Sequence, residues 1–190
     1  MGEDGMTPVT LCAAEEVHRA LLEKWRGAMD LIGPGPAMPH FVDAAAAVDG
    51  LNARGQWADL GSGAGFPGIA LAARWPDAQV QLVESRQKRS IFLGQVVAAA
   101  GLSNATVIRA RSETLVDGSL DGVISRAYKP PHAYLQDARR LLRPGGVAVV
   151  MLGEHGVVDV AADWTLISRD RYPTGDGWRS RVVLQYSGSR

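Results

Sequence analysis

From residue 56 onward, short apolar runs alternate with stretches in which hydrophobic residues recur every three to four positions. The runs "QWADL" (56–60), "AQVQLVE" (78–84), "ATVIRA" (105–110), "DGVISRA" (121–127) and "GVAVVML" (146–152) predict strands. Helices are predicted after the glycine turn as far as Arg74, over "RQKRSIFLGQVVAAAG" (86–101) and over "HAYLQDARRLL" (132–142), the last stopped by "RPGG". Two later runs, "DWTLISRD" (163–170) and "RVVLQY" (181–186), flank the turn-rich "RYPTGDGWRS" and predict a terminal antiparallel hairpin. Upstream, Leu11, Ala14, Val17, Leu21 and Trp25 share one face of a helix over 11–27, with Glu15 and Glu16 in its first turn. "IGPGPAMP" (32–39) is broken by glycine and proline, and His40–Val48 predicts a short alanine-rich helix.

Apolar strands alternating with helices predict an α/β fold whose mainly parallel sheet is covered on both faces. Seven strands ending in an antiparallel hairpin predict the methyltransferase variant of the Rossmann-like, doubly wound fold. The chain reads as one domain: residues 1–50 form a short N-terminal helical region and 51–190 the ligand-binding core.

Composition changes this picture little. Hydrophobic residues make up 46% and charged residues 21%, as in an ordinary globular domain. Twenty basic residues balance twenty acidic ones, which excludes a uniform polycation but not a basic face. Such a face is offered by "SRQKRS", "RARS", "RAYK" and "ARRLLRP", with Lys88, Arg89, Arg139 and Arg140 as candidate phosphate contacts. The apolar runs are too short to span a bilayer, and "MGEDGMTPVT" is neither a secretory signal nor a transit peptide. Cys12 is the only cysteine, which fits a reducing cytoplasm, and the four histidines lack metal-ligand spacing, so no metal is expected.

The chemistry concentrates in "ADLGSGAGFPGIALA" (58–72), where Gly61, Gly63, Gly65 and Gly68 follow the first strand. Strand, glycine turn, helix binds nucleotide-like ligands at the carboxyl end of the sheet. Gly63, Gly65 and Gly68 fit the dinucleotide spacing, whereas Asp59 with Gly61, Gly63 and Gly65 fits the S-adenosylmethionine pattern. A pyrophosphate is repelled by the carboxylate of Asp59; a sulfonium and an ammonium are attracted by it. Glu84, ending the second strand, is placed to accept ribose hydroxyls from either cofactor, and Glu113 follows the third strand, where an adenine lies. Three carboxylates around one crevice favour the cationic cofactor, S-adenosylmethionine. On this reading a side chain at Gly63 fills space the cofactor needs. His40 and Asp43 share a helical face and read as a structural pair, while Tyr128 and Trp178 are candidates to stack on a base.

"DLGSGAGFPGIALA", "LVESRQKRSIFLGQV", "RARSE", "DGVISRAY" and "RYPTGDGWRSRVVLQ" resemble the RsmG (GidB) family over nearly the whole chain, as do "KWRGAMDL" and "HFVDA". The resemblance implies methylation of guanine N7 in small-subunit (16S) ribosomal RNA with S-adenosylmethionine. It implies cofactor contacts from Gly61 and Phe66, Ser112 and Glu113 flanking the adenine, and Arg126 closing the site. Arg126 is then the candidate catalytic residue, pairing with the cofactor carboxylate or donating to guanine O6. His40, Tyr128 and Arg179 are candidates to meet the substrate. The chain departs from the family's usual N-L-T triplet at Asp30–Leu31–Ile32, from its usual arginine at Pro39, and from its usual lysine at Leu152. These departures fall on the substrate side, so a small heterocycle stands as the alternative to RNA, with a non-enzymatic binding module as the third class.

Overall fold

The computed structural model describes residues 9–188; the polar start of the chain, residues 1–8, lies outside the described residues. Helices α1 (Ala13–Met29) and α2 (Met38–Val48) precede the sheet. Then follow β1 (Gly55–Leu60), α3 (Gly68–Arg74), β2 (Ala78–Val83), α4 (Gln87–Ala99), β3 (Ala105–Ile108) and β4 (Leu120–Ser125), with a single 3₁₀ turn at Ser112–Thr114. The chain closes with α5 (Pro131–Leu141), β5 (Leu142–Leu152), β6 (Trp164–Pro173) and β7 (Trp178–Tyr186). The sheet order is β3-β2-β1-β4-β5-β7-β6; β5, β7 and β6 pair antiparallel and the rest run parallel. This is the expected Rossmann-like architecture.

Because successive strand residues face opposite sides, β1 splits its apolar load between two cores. Trp57 joins Leu22, Phe41, Leu71 and Phe92 under the helices α1 to α4. Ala58 and Leu60 join Tyr134 and Leu141 of α5 on the other face. Reversal of strand order beside β1 leaves a crevice at the carboxyl ends of β1, β2 and β4.

Three elements differ from the periodicity. Leu11, Ala14, Val17, Leu21 and Trp25 form the flank of α1's buried stripe; Glu15, His18 and Leu22 lie deepest. Polar residues occupy the centre because they are paired: Glu15 holds Arg74 through two 2.8 Å hydrogen bonds, and His18 Nε2 lies 2.7 Å from the carbonyl of Ala64. A hydrophobicity count cannot see such partners. Strand β5 begins at Leu142, directly after α5, so "RPGG" runs inside the strand. The terminal hairpin also extends further than expected, since cross-strand pairing runs to Pro173↔Trp178 and leaves only Thr174–Gly177 as the turn.

The hairpin reaches back over α2. Arg181 Nη1 donates to the carbonyl of Ala47 at 3.1 Å, while its Nε is anchored on Asp170 at 2.9 Å. Tyr172 donates to Asp43 of α2 at 3.1 Å. The N-terminal helices are thereby fixed at the mouth of the crevice by residues more than a hundred positions away.

Burial lowers the pKa of His18 from 6.5 to about 4. The unfolded chain therefore takes up a proton that the folded chain refuses, and this group's contribution to stability falls as pH drops from 6.5 to 4. The loss is roughly 3 kcal/mol at most. Asp59 acts oppositely, because burial raises its pKa to about 7, so lowering pH through that window favours the folded state. The wild-type dependence is their sum, and the difference between wild type and His18→Gln isolates His18. Urea titrations should show the variant losing less stability than wild type on acidification; parallel curves would contradict a neutral buried His18.

Candidate active site

The glycine turn is built by backbone. The N–H groups of Gly61 and Ser62 both donate to the carbonyl of Val83, at 2.9 and 3.0 Å, folding the turn over the end of β2. Gly61, Gly63 and Gly65 take φ of +70°, +54° and +96°, left-handed values that disfavour other residues. Glu84, 5% exposed, fastens the turn: Oε2 accepts from Gly63 N–H at 3.0 Å and Oε1 from Arg86 N–H at 2.7 Å. Each oxygen keeps a second acceptor direction, so the carboxylate can still receive hydroxyl donors.

Two clefts open around this turn. The first, about 340 Å³, is lined by Gly61, Glu84, Ser112, Glu113 and Tyr128, with Arg86, Arg89 and Arg111 at its rim. Ser112 is buried and its Oγ is hydrogen-bonded to the Tyr128 hydroxyl. Glu113 is exposed and pairs with Lys129 at 3.3 Å. The second cleft, about 460 Å³, is lined by His40, Asp43, Arg126 and Arg179 on its polar side and by Leu31, Ile32, Pro39 and Leu152 on its apolar side. Both meet at Ala127, a non-glycine residue at φ +54°. That left-handed step, directly after β4, turns Arg126 into one cleft and Tyr128 into the other.

Arg126 organises the second cleft. Its Nη1 lies 3.0 Å from His40 Nδ1 and 3.4 Å from Asp43 Oδ2, and its guanidinium sits 4.7 Å from the centre of the Phe66 ring. Burial raises the pKa of Asp43, and the neighbouring Arg126 opposes that shift. Arg179 is held by Asp176 at 3.3 Å.

Several expected roles change with this geometry. Asp59 lines neither cleft: it is 0% exposed, and Oδ2 accepts from Gly68 N–H at 3.0 Å beneath the turn. Phe66 is 4% exposed and packs against His18, His40 and Phe41, so its ring supports Arg126 from below. Tyr128, expected on the substrate side, stands in the first cleft because Ala127 reverses the chain direction. Gly65 is required for packing, since a Cβ there would meet Ile69 at 2.8 Å and the His18 ring at 3.1 Å. His40 and Asp43 are joined through Arg126 and not to each other. Trp178 is stacked under Arg171 at 4.7 Å. Tyr172 and Ala127 escaped sequence reasoning, because no local pattern links β6 to α2 or flags an alanine at positive φ.

Solved structures share this architecture. The O-methyltransferase TomG from Streptomyces achromogenes, crystallised with S-adenosylmethionine, superposes with a TM-score of 0.65 over 96% of this chain and 93% of that one, at 18% identity. A family model, GidB, rRNA small subunit methyltransferase G, matches residues 16–170. Ribosomal RNA small subunit methyltransferase G from Stenotrophomonas maltophilia (strain K279a) is 36% identical over 154 residues, covering 77% of this chain and 73% of that protein. Its counterpart from Paracoccus denitrificans is 33% identical over 181 residues, covering 91% of this chain and 93% of that protein. The chain belongs to the GidB family.

As a GidB protein it is an S-adenosylmethionine-dependent methyltransferase. The first cleft fits that cofactor on its own terms. Bare backbone at Gly61 leaves room that a side chain would close, and Glu84 offers acceptors for a vicinal diol. Asp59 Oδ1 is a buried acceptor with no partner among the described residues. Among the described residues, no group of His, Cys, Asp or Glu is arranged to hold a metal ion, and no helix is long and apolar enough to cross a membrane. Of the departures from the GidB pattern, Ile32, Pro39 and Leu152 line the second cleft.

Gly61 and Gly63 differ in the space around them. A Cβ there would lie 2.7 Å from Tyr128 Cδ2, whereas at Gly63 the nearest atoms are 3.6 Å away. In the free protein a side chain is therefore crowded at Gly61 and not at Gly63. Both alanine variants carry the left-handed penalty of about 1–2 kcal/mol, but only Gly61→Ala displaces Tyr128. Calorimetry with S-adenosylhomocysteine should show Gly61→Ala losing about tenfold more affinity than Gly63→Ala, a gap of about 1.4 kcal/mol. Equal losses would contradict the assignment.

Proposed function

We propose that this chain methylates N7 of a guanine in small-subunit (16S) ribosomal RNA. The observation that carries the substrate is a lip of cations beside the first cleft. Arg86, Arg89 and Arg111 line that cleft, Lys88 and Arg109 are their neighbours in sequence, and none of the five makes an ion pair among the described residues, although the chain has equal numbers of acids and bases. Unpaired cations crowded on one rim repel one another, and a polyphosphate backbone relieves that repulsion. A free neutral heterocycle does not. Arg139 and Arg140 are not part of this lip: Arg139 pairs with Asp163, and Arg140 is tied to Asp117 and to the carbonyls of Leu115 and Ser112. The names carried by the curated relatives support the same substrate. A ribosomal substrate puts the work in the cytoplasm.

The chemistry asks little of the protein beyond placement. Guanine N7 carries an exposed lone pair and no proton, so no general base is needed. S-Adenosylmethionine, when bound, supplies an electrophilic methyl group on sulfonium. Glu84 would hold the ribose and Ser112 with Glu113 would flank the adenine. On the other side of Ala127, Arg126, His40 and Arg179 would orient the base, Arg126 donating to O6. Fixing the nucleophile in line with the methyl–sulfur bond converts a bimolecular encounter into a positioned one.

Labelled methyl transfer followed by nucleoside mass spectrometry should find the label in N7-methylguanine of small subunits and not in a panel of free purines. RNA affinity should fall steeply with salt, with cofactor affinity nearly unchanged. Replacing Arg86, Lys88 and Arg89 by Gln should flatten the salt slope by about 0.7 per lost phosphate contact, whereas Arg139→Gln with Arg140→Gln should leave the slope intact. Saturable methylation of a free heterocycle with subunits untouched would replace the RNA reading by the small-molecule one.

A further inference from the structure

We propose that His40 is a hydrogen-bond donor to the substrate through Nε2–H, its tautomer set by Arg126, with Tyr172 and Asp43 as the positioning residues behind it. A guanidinium has donors only. With Arg126 Nη1 3.0 Å from His40 Nδ1, that nitrogen accepts, so the ring proton of the neutral imidazole sits on Nε2. Nε2 has no partner among the described residues, and His40 lines the second cleft. The ring therefore presents a donor to whatever occupies that space.

Arg126 is itself oriented from behind. Tyr172 donates to Asp43 Oδ1 at 3.1 Å, which leaves Oδ2 to receive Arg126 at 3.4 Å. Phe66 closes the lower face of the guanidinium. Four elements, the terminal hairpin, α2, the turn after β1 and the end of β4, thus converge to decide which imidazole nitrogen carries a proton. No single element defines the donor. The Tyr172 hydroxyl, on β6, makes no other hydrogen bond among the described residues and links the C-terminal hairpin directly to the site.

The charges facing His40 favour the neutral ring. Arg126, Arg179 and Arg26 oppose a second proton and Asp176 favours it, while Asp43 acts through Arg126. Burial and then Arg126 lower the pKa of His40 below its ordinary value. Protonation at low pH would turn Nδ1 into a donor, break its bond with Arg126 and release both groups. A ring that offers one donor beside the donors of Arg126 selects a substrate with an acceptor next to the methylated atom. This step rests on the proposed guanine substrate, in which the 6-oxo group adjoins N7; an exocyclic amine at the same place would confront donor with donor.

Two measurements separate the tautomer from the substrate. In isotope-labelled, ligand-free protein near neutral pH, two-bond proton–nitrogen correlations of His40, assigned by their loss in His40→Gln, should show a neutral Nε2–H tautomer. Tyr172→Phe should shift His40 towards mixed tautomers without unfolding the chain. A neutral Nδ1–H ring, or a charged one, would overturn the inference whatever the substrate. In methyl transfer to small subunits, His40→Gln, whose amide reaches the Nε2 position, should outperform His40→Asn about tenfold. Tyr172→Phe should lower kcat severalfold and leave S-adenosylhomocysteine affinity unchanged. The acid limb of the wild-type rate profile should vanish in His40→Gln. Equal Gln and Asn variants would overturn the donor role. Subunits left unmethylated by a protein with the expected tautomer would refute the RNA reading alone, and the set tautomer would stand.

Discussion

One guanidinium ties together parts of the chain that have no other reason to meet. Arg126 leaves the end of β4, crosses the Phe66 ring and reaches both His40 and Asp43 on α2. A cation with 22% of its side chain exposed requires compensation. That need explains why Asp43 is kept nearly buried despite the cost, and why Tyr172 reaches back from the hairpin to share its carboxylate. Removing one member leaves the nearly buried Asp43 carboxylate without a partner, a larger penalty than the net value of any single bond.

The positive φ of Ala127 has a comparable effect on function. Had the chain continued straight, Arg126 and Tyr128, two positions apart, would project from the same face of an extended segment. The left-handed step instead assigns them to separate clefts, one floored by Glu84 and Ser112 and the other by His40 and Arg126. A methyltransferase needs this division, because donor and acceptor must approach from opposite sides along one line. The terminal hairpin completes it by clamping α2 over the second cleft through Arg181 and Tyr172.

Much of the fold was legible in the sequence because it depends on local period. Apolar strands, their helices and the glycine turn are each readable within a dozen residues. The site was legible only where one residue does one thing in place. Glu84 at the end of β2 is such a case, since its position alone brings it to the first cleft. Asp59 misled because its side chain direction depends on Gly68, nine residues on, which captures it beneath the turn. Phe66 and Tyr128 lie where a family pattern puts contacts, yet packing under Arg126 and the reversal at Ala127 decide what their side chains face. Glu15 and His18 were hidden in the α1 stripe because their partners, Arg74 and the Ala64 carbonyl, are 59 and 46 residues distant. Long-range pairing is invisible to periodicity.

On the proposed function, the first cleft holds the cofactor and the second the substrate. A crystal structure of the complex with S-adenosylhomocysteine tests it most directly. The ribose hydroxyls should lie on Glu84 and the adenine beside Ser112 and Glu113, with the space between Leu31, His40 and Arg179 left for the substrate. A ligand seated in that second space, with its ribose away from Glu84, would contradict the division.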